Sequence, residues 1–473
     1  MRLHNSLTGK VEEFVPLKEG EVLMYNCGPT VYKRQHIGNF RAFLMADLLR
    51  RTFEHLGYKV KQVMNITDVG HLTEDDVADA QGEDKLQKEA LARGVTPLEI
   101  AREAEATFME DLDTLHVRKA HVYPRATEHI EEMLAMIASL IEKGSAYEVD
   151  GNVYFDLDTF PDYGALSGNT LDALSEGASG RVEERADKRG PFDFALWKHD
   201  PKHLMLWDSD YGKGFPGWHI ECSAMAKKHL GETIDIHTGG PDNKFPHHEC
   251  EIAQSETVNG KPFVRFWLHC GWLEIGGQKM AKRAGKAYTI PELAEMGYDG
   301  RDVRFLMLKQ HYRAPLPFTL DLLDEAKRVR AGFNNFVNFE MAERPDGPDD
   351  PAVAEAIESM RARVKAALED DLNTSAVFAA LHEFMTAINR IRPGAADAER
   401  AVAFLRDVDD VFDILDDAPT AEALDSDIDA LIKARDDARA NKDFASSDRI
   451  RDELKALGIE LIDTPQGTRW RRS

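Results

Sequence analysis

Three stretches of this 473-residue chain carry residue types whose spacing suits chemistry. The first, residues 27–39, has a thiol at one end, Cys27, and a His36-Ile37-Gly38-Asn39 turn at the other. The second is His247-His248-Glu249-Cys250-Glu251, which follows His237-Thr238-Gly239-Gly240-Pro241-Asp242. His247 and Glu251 are spaced i, i+4, so a helix would present both on one face as two ligands for one metal. Cys27 and Cys222 each sit beside a predicted sheet-to-helix transition and add soft donors. Two Cys, one His and one Glu form a reasonable zinc set. Cys250, at i+3 from His247, competes for a place in that set, and a polar helix beside two buried thiols is the plainer alternative. The third stretch, 276–286, sets Lys279, Lys282, Arg283 and Lys286 on a glycine-bounded loop. Mobile cations there suit nucleotide phosphates, although a generic basic loop is the commoner explanation of such a run.

The elements that must position these residues are legible from periodicity. Val22-Leu23-Met24-Tyr25 predicts a strand ahead of Cys27, and Phe40, Phe43, Leu44 and Leu48 follow helical spacing after Asn39. A strand feeding a helix through a glycine turn offers free N–H groups and a positive dipole end to an anion. Strand-like runs at 22–25 and 60–66 alternate with helical ones at 40–56 and 96–115, the pattern of a parallel sheet. Residues 126–142 predict a helix, and 147–155 a hairpin turning at Asp150-Gly151. Residues 158–189 read as a surface loop, so 116–190 is taken as an insertion. The sheet is expected to resume at 194–197 and 233–237, flanked by helices at 220–230 and 248–258. From about 300 onward helical spacing dominates. The last segment, 431–473, holds 10 Lys or Arg against 8 Asp or Glu and ends with Trp470 among arginines. An indole beside guanidinium groups suits RNA.

Composition narrows the class. With 43% apolar and 30% charged residues the chain resembles a soluble protein of two to four domains. A formal net charge of −25 argues against indiscriminate nucleic-acid binding while permitting a local basic face. The N-terminus lacks the apolar core of a signal peptide, and no run approaches a membrane span. The four scattered cysteines form no disulfide framework. A cytoplasmic protein with reduced thiols is expected.

Taken together, these motifs resemble the cysteinyl-tRNA synthetases of the class I aminoacyl-tRNA synthetase family. His36-Ile37-Gly38-Asn39 stands where the family has its HIGH signature, and residues 279–283 stand where it has KMSKS. The blocks Cys27-Gly28-Pro29-Thr30-Val31-Tyr32, Gly217-Trp218-His219-Ile220-Glu221-Cys222-Ser223 and Phe245-Pro246-His247-His248-Glu249-Cys250-Glu251 match, as does the tail from Pro465. The resemblance implies an α/β fold: a Rossmann-type parallel-sheet catalytic domain (1–115 and 191–300) split by a connective insertion (116–190). A linker and helical bundle (301–418) and a small anticodon-binding domain (425–473) would follow.

It implies one zinc per chain on Cys27, Cys222, His247 and Glu251, which settles Glu251 over Cys250. ATP phosphates would be held by His36, Gly38 and Asn39, with Lys279 and Lys282 from the loop. Thr30 and Trp218 would line the cysteine pocket beside Gly28. Gly239, Gly240 and Asp242 would lie by the adenosine, with His237 in the same site. The implied reaction activates L-cysteine with ATP and Mg2+ and passes it to the 3′-terminal adenosine of cysteine tRNA, by a chain expected to be a monomer. A ligase joining cysteine to an amino-sugar and a non-catalytic zinc- and RNA-binding relative are the alternatives. Departures are visible: Ala281 and Arg283 replace the loop serines, Asn39 replaces the second histidine of HIGH, and Gly70-His71 replaces an acidic pair, so no role is carried onto those two.

Overall fold

The computed structural model describes residues 1–70, 72–74, 81–170, 188–280, 287–342, 344–417, 421–441, 443–456, 459–464 and 467–472. They form two compact units, 1–323 with 365–377, and 324–364 with 378–473.

The first unit is built on a four-stranded parallel sheet. Its order is Val264–His269, Ile234–Gly239, Glu21–Asn26 and Lys59–Met64. The chain leaves its first sheet strand for one neighbour directly and reaches the other only after the insertion. That reversal makes a switch point at the carboxyl ends of Glu21–Asn26 and Ile234–Gly239, where open α/β sheets bind ligands. Ile234–Gly239 is buried at every position, as expected where helices cover both faces. The helix Ile37–His55 buries Phe40, Phe43, Leu44 and Leu48 and stops before Gly57, whose φ is +90°.

The predicted hairpin forms: Ala146–Val149 pairs with Asn152–Phe155, with Val149 opposite Asn152. Phe194–Lys198 departs from expectation. It does not rejoin the parallel sheet but pairs antiparallel with Asn152–Phe155, and Phe215–Pro216 adds on its other side. The insertion's sheet therefore reaches past residue 190. A short buried apolar run carries no mark of which sheet it enters, so periodicity could not separate the two. Of the expected loop at 158–189, residues 171–187 lie outside the described residues.

The segment after 300 is helical as expected, but it is divided: 301–323 and 365–377 cluster with the first unit. In the second unit, Phe378 packs on Phe412 at 4.8 Å between ring centroids. Toward the C-terminus, helices Ala421–Ala440 and Phe444–Ala456 and the hairpin of Ile459–Thr464 with Gly467–Arg472 enclose Ile428, Ile432, Leu454 and Ile459.

Candidate active site and metal centre

A cavity of about 380 Å3 opens at the switch point. Cys27, Gly28, Thr30, His36, Gly38, Asn39, Trp218, Gly240, Asp242 and Lys279 all line it, so ten residues singled out from sequence meet in one place. Gly28 follows the strand because nothing larger fits: a Cβ there would lie 1.7 Å from the Asn65 carbonyl oxygen. Its N–H donates to Asn65 Oδ1 at 2.8 Å. On the rim, His36 takes extended backbone geometry and the helix begins at Ile37. Asn39 Oδ1 accepts from the His36 N–H at 3.2 Å, which engages the amide oxygen. The Asn39 side chain retains an NH2 donor on the cavity wall. Lys279 pairs with Asp242. Lys282, with Ala281, Arg283 and Lys286, lies outside the described residues.

Below the cavity the donors converge. One ligand atom each from Cys27, Cys222, His247 and Glu251 falls within a 4.8 Å cluster, and all four residues are buried. Cys222 comes from the helix Trp218–Leu230 and Glu251 from Glu249–Asn259. His247 stands in a wider π turn just before the second helix, yet its Nε2 still lies 3.1 Å from Glu251 Oε1. Cys250 is not part of this cluster; its sulfur lies 3.5 Å from the Tyr163 hydroxyl. A second set overlaps the first and substitutes His237 and His248 for Cys222 and His247.

The surrounding charges show why such donors are held together. Burial pushes the Cys27 thiol well up, and neighbouring Cys222 adds to it. Burial opposes ionisation of Cys222 too, but hydrogen bonding from Cys27 and the nearby His247 bring it down to about 6. Burial would lower His247, yet Glu251 and Cys222 raise it to about 10. Against burial, His237 and His247 bring Glu251 down to about 2. The cluster thus favours a thiolate and a carboxylate around a positive charge, and its two sulfurs, imidazole and carboxylate fit zinc.

Further histidines orient the donors. His237 Nε2 lies 2.9 Å from Glu251 Oε2, and His219 Nδ1 lies 3.0 Å from His247 Nδ1. The Trp218 indole stacks on His247 at 4.5 Å, linking the cavity wall to the donor cluster. His248 Nε2 lies 3.2 Å from Cys27 Sγ, and its Nδ1 lies 2.9 Å from His269 Nε2. Such partners fix ring orientation around a metal. Sequence reading missed His219, His248 and His269 as members of the site. Their signal was weak, because nothing in their local spacing sets them apart from the other polar residues of the same elements.

Comparison with known proteins places the chain in a family. The family described as tRNA synthetases class I (C) catalytic domain matches residues 13–328, the DALR domain 363–416, and the cysteinyl-tRNA ligase anticodon binding domain 421–471. The cysteine–tRNA ligase of Symbiobacterium thermophilum is 46% identical, covering 100% of both chains. The chain belongs to the cysteinyl-tRNA synthetase family. Its counterpart from Chlorobaculum tepidum is 43% identical over 99% of this chain and 98% of its own. Members of this family charge tRNA with cysteine, and so does this chain; the two alternative functions find no support. Among solved structures, Mycobacterium tuberculosis methionyl-tRNA synthetase in complex with methionyl-adenylate shares the fold. It has a TM-score of 0.58 at 12% identity, over 83% of this chain and 90% of that one.

Proposed function

We propose that the cavity activates cysteine with ATP, and that Cys27, Cys222, His247 and Glu251 hold one Zn2+ at its floor. The supporting observation is the convergence of four buried donors beneath a cavity whose rim carries a helix N-terminus. The chemistry zinc supplies when bound is thiolate coordination, which selects sulfur over the serine hydroxyl that a hydrogen-bonding pocket excludes poorly. All other roles fall to the chain. Thr30 and Trp218 wall the amino-acid end, and Gly28 lets the substrate approach the backbone. Gly239, Gly240 and Asp242 receive the adenosine, while His237 acts through Glu251 by holding its carboxylate. His36, Gly38 and Asn39 face the phosphates of the Mg2+–ATP substrate, with Lys279 and Lys282 as cations.

In this reading a cysteine carboxylate oxygen attacks the α-phosphorus. The bond to the bridging oxygen breaks, and pyrophosphate leaves with that electron pair. The terminal ribose hydroxyl of tRNA then attacks the adenylate carbonyl, and AMP departs. Catalysis is positioning together with stabilisation of charge on phosphate oxygens. The working species is a cytoplasmic monomer. Metal analysis of Cys222→Ala, run beside cysteine-dependent ATP–pyrophosphate exchange, tests the assignment. Zinc and exchange should be lost together; a full zinc complement with parental kinetics would sink it.

A further inference from the structure

A second cavity, of about 300 Å3, shares a wall with the catalytic one at Pro241 and Cys270-Gly271-Trp272. Its separate lining includes His4, Ser6, Lys244 and Arg313. Lys244 is half-buried and has no hydrogen-bond or carboxylate partner among the described residues. Burial pushes its ammonium pKa down. His4 is likewise pushed down, first by burial and then by the charges of Arg313 and of Lys244. Lys244 and Arg313 thus line one half-buried space together with His4.

The neighbouring carboxylates are already engaged. Asp371 accepts from the His4 N–H at 2.8 Å, the Tyr312 hydroxyl at 2.7 Å and Arg313 Nε at 2.8 Å. Asp242 is paired with Lys279. Arg313 is matched by Asp371 at 2.6 Å, so the charge left over is that of Lys244, whose half-buried ammonium bears a desolvation cost. A bound anion offsets that cost, and an unmatched half-buried cation stands out in a chain of net charge −25. Trp272, 41% exposed, lines this cavity as well as the catalytic one. An exposed indole among cations provides a stacking surface for a base beside donors for its phosphate.

We propose that the second cavity is a nucleotide subsite, in which Lys244 and Arg313 hold one phosphate of the tRNA strand and Trp272 receives a base. The inference rests on the family's tRNA substrate and is independent of the zinc assignment. The same chemistry would accept a free nucleotide, so the test has two arms.

In the first, the full-length chain and its Lys244→Gln and Lys244→Arg variants are compared in tRNA charging across a salt series and in ATP–pyrophosphate exchange. Lys244→Gln should lower kcat/KM for tRNA about tenfold. It should also make the log–log salt dependence shallower by about one unit, the signature of one lost phosphate contact. Exchange should stay within about twofold of the parent, and Lys244→Arg should restore charging. Unchanged charging and slope would overturn the proposal. So would equal losses in charging and exchange, which would show that Lys244 acts through the adjoining His247 turn. In the second arm AMP competes with tRNA. Weaker AMP inhibition of Lys244→Gln with an unaltered tRNA salt slope would assign the cavity to a free nucleotide and overturn the tRNA assignment.

Discussion

Replacing Gly28 by alanine would drive a methyl group to within 1.7 Å of the Asn65 carbonyl oxygen. The backbone must move, with an expected loss of about 3 kcal/mol in denaturant unfolding and a higher KM for cysteine. His237 permits a finer test of the metal centre, because it belongs to the overlapping donor set yet holds Glu251 Oε2 at 2.9 Å in the favoured one. His237→Asn should retain zinc with affinity weakened by about 10- to 100-fold in a chelator competition. Complete loss of the metal would point instead to His237 as a ligand. At this scale the sequence carried the donors well. Type and spacing singled out Cys27 and the His247–Glu251 pair but left Cys250 as a competitor, and the histidines that orient these donors carry no spacing that marks their partners.

At the scale of elements, Arg41 ties the helix Ile37–His55 to the segment that walls the cavity. Its guanidinium donates to the carbonyls of Gly271 at 3.0 Å, Met307 at 3.1 Å and Ala314 at 2.8 Å. The side chain is buried, and those carbonyls would be left without this donor in Arg41→Met. A loss of about 3 kcal/mol is expected, read as a lowered Tm, with slower pyrophosphate exchange because the two cavity walls separate. Glu105 and Arg125 join the helix Pro97–Thr114 to the following segment at 2.7 Å. Burial raises Glu105, but Arg125 outweighs it and holds the carboxylate below its usual range. A depressed folded-state pKa contributes stability above the unfolded value of about 4.3, and loses it as pH falls through the folded value. Glu105→Gln should therefore cost about 1–2 kcal/mol at pH 7 and progressively less below pH ~4 in urea titrations. Helical periodicity announced both helices but could not reveal Arg41, whose partners lie more than 200 positions away.

For the whole molecule, division of labour is the testable property. Removing 421–473, which contains the matched anticodon binding domain, should impair tRNA charging far more than pyrophosphate exchange. Equal losses would argue that this segment supports the catalytic fold instead. The sequence by itself determined the alternating strand and helix pattern, the turn that opens the helix at Ile37 and the spacing of His247 with Glu251. Such features are local, set by backbone geometry within one or two turns. Only the tertiary structure decided that Phe194–Lys198 joins the insertion's antiparallel sheet and that Cys250 turns to Tyr163. It also brought Cys27 and Cys222, grouped beforehand by type alone, within 4.8 Å in one buried cluster, and it left Lys244 without a counter-charge among the described residues. Those outcomes depend on which distant surfaces bury against one another, and a one-dimensional pattern does not encode that choice in any single stretch.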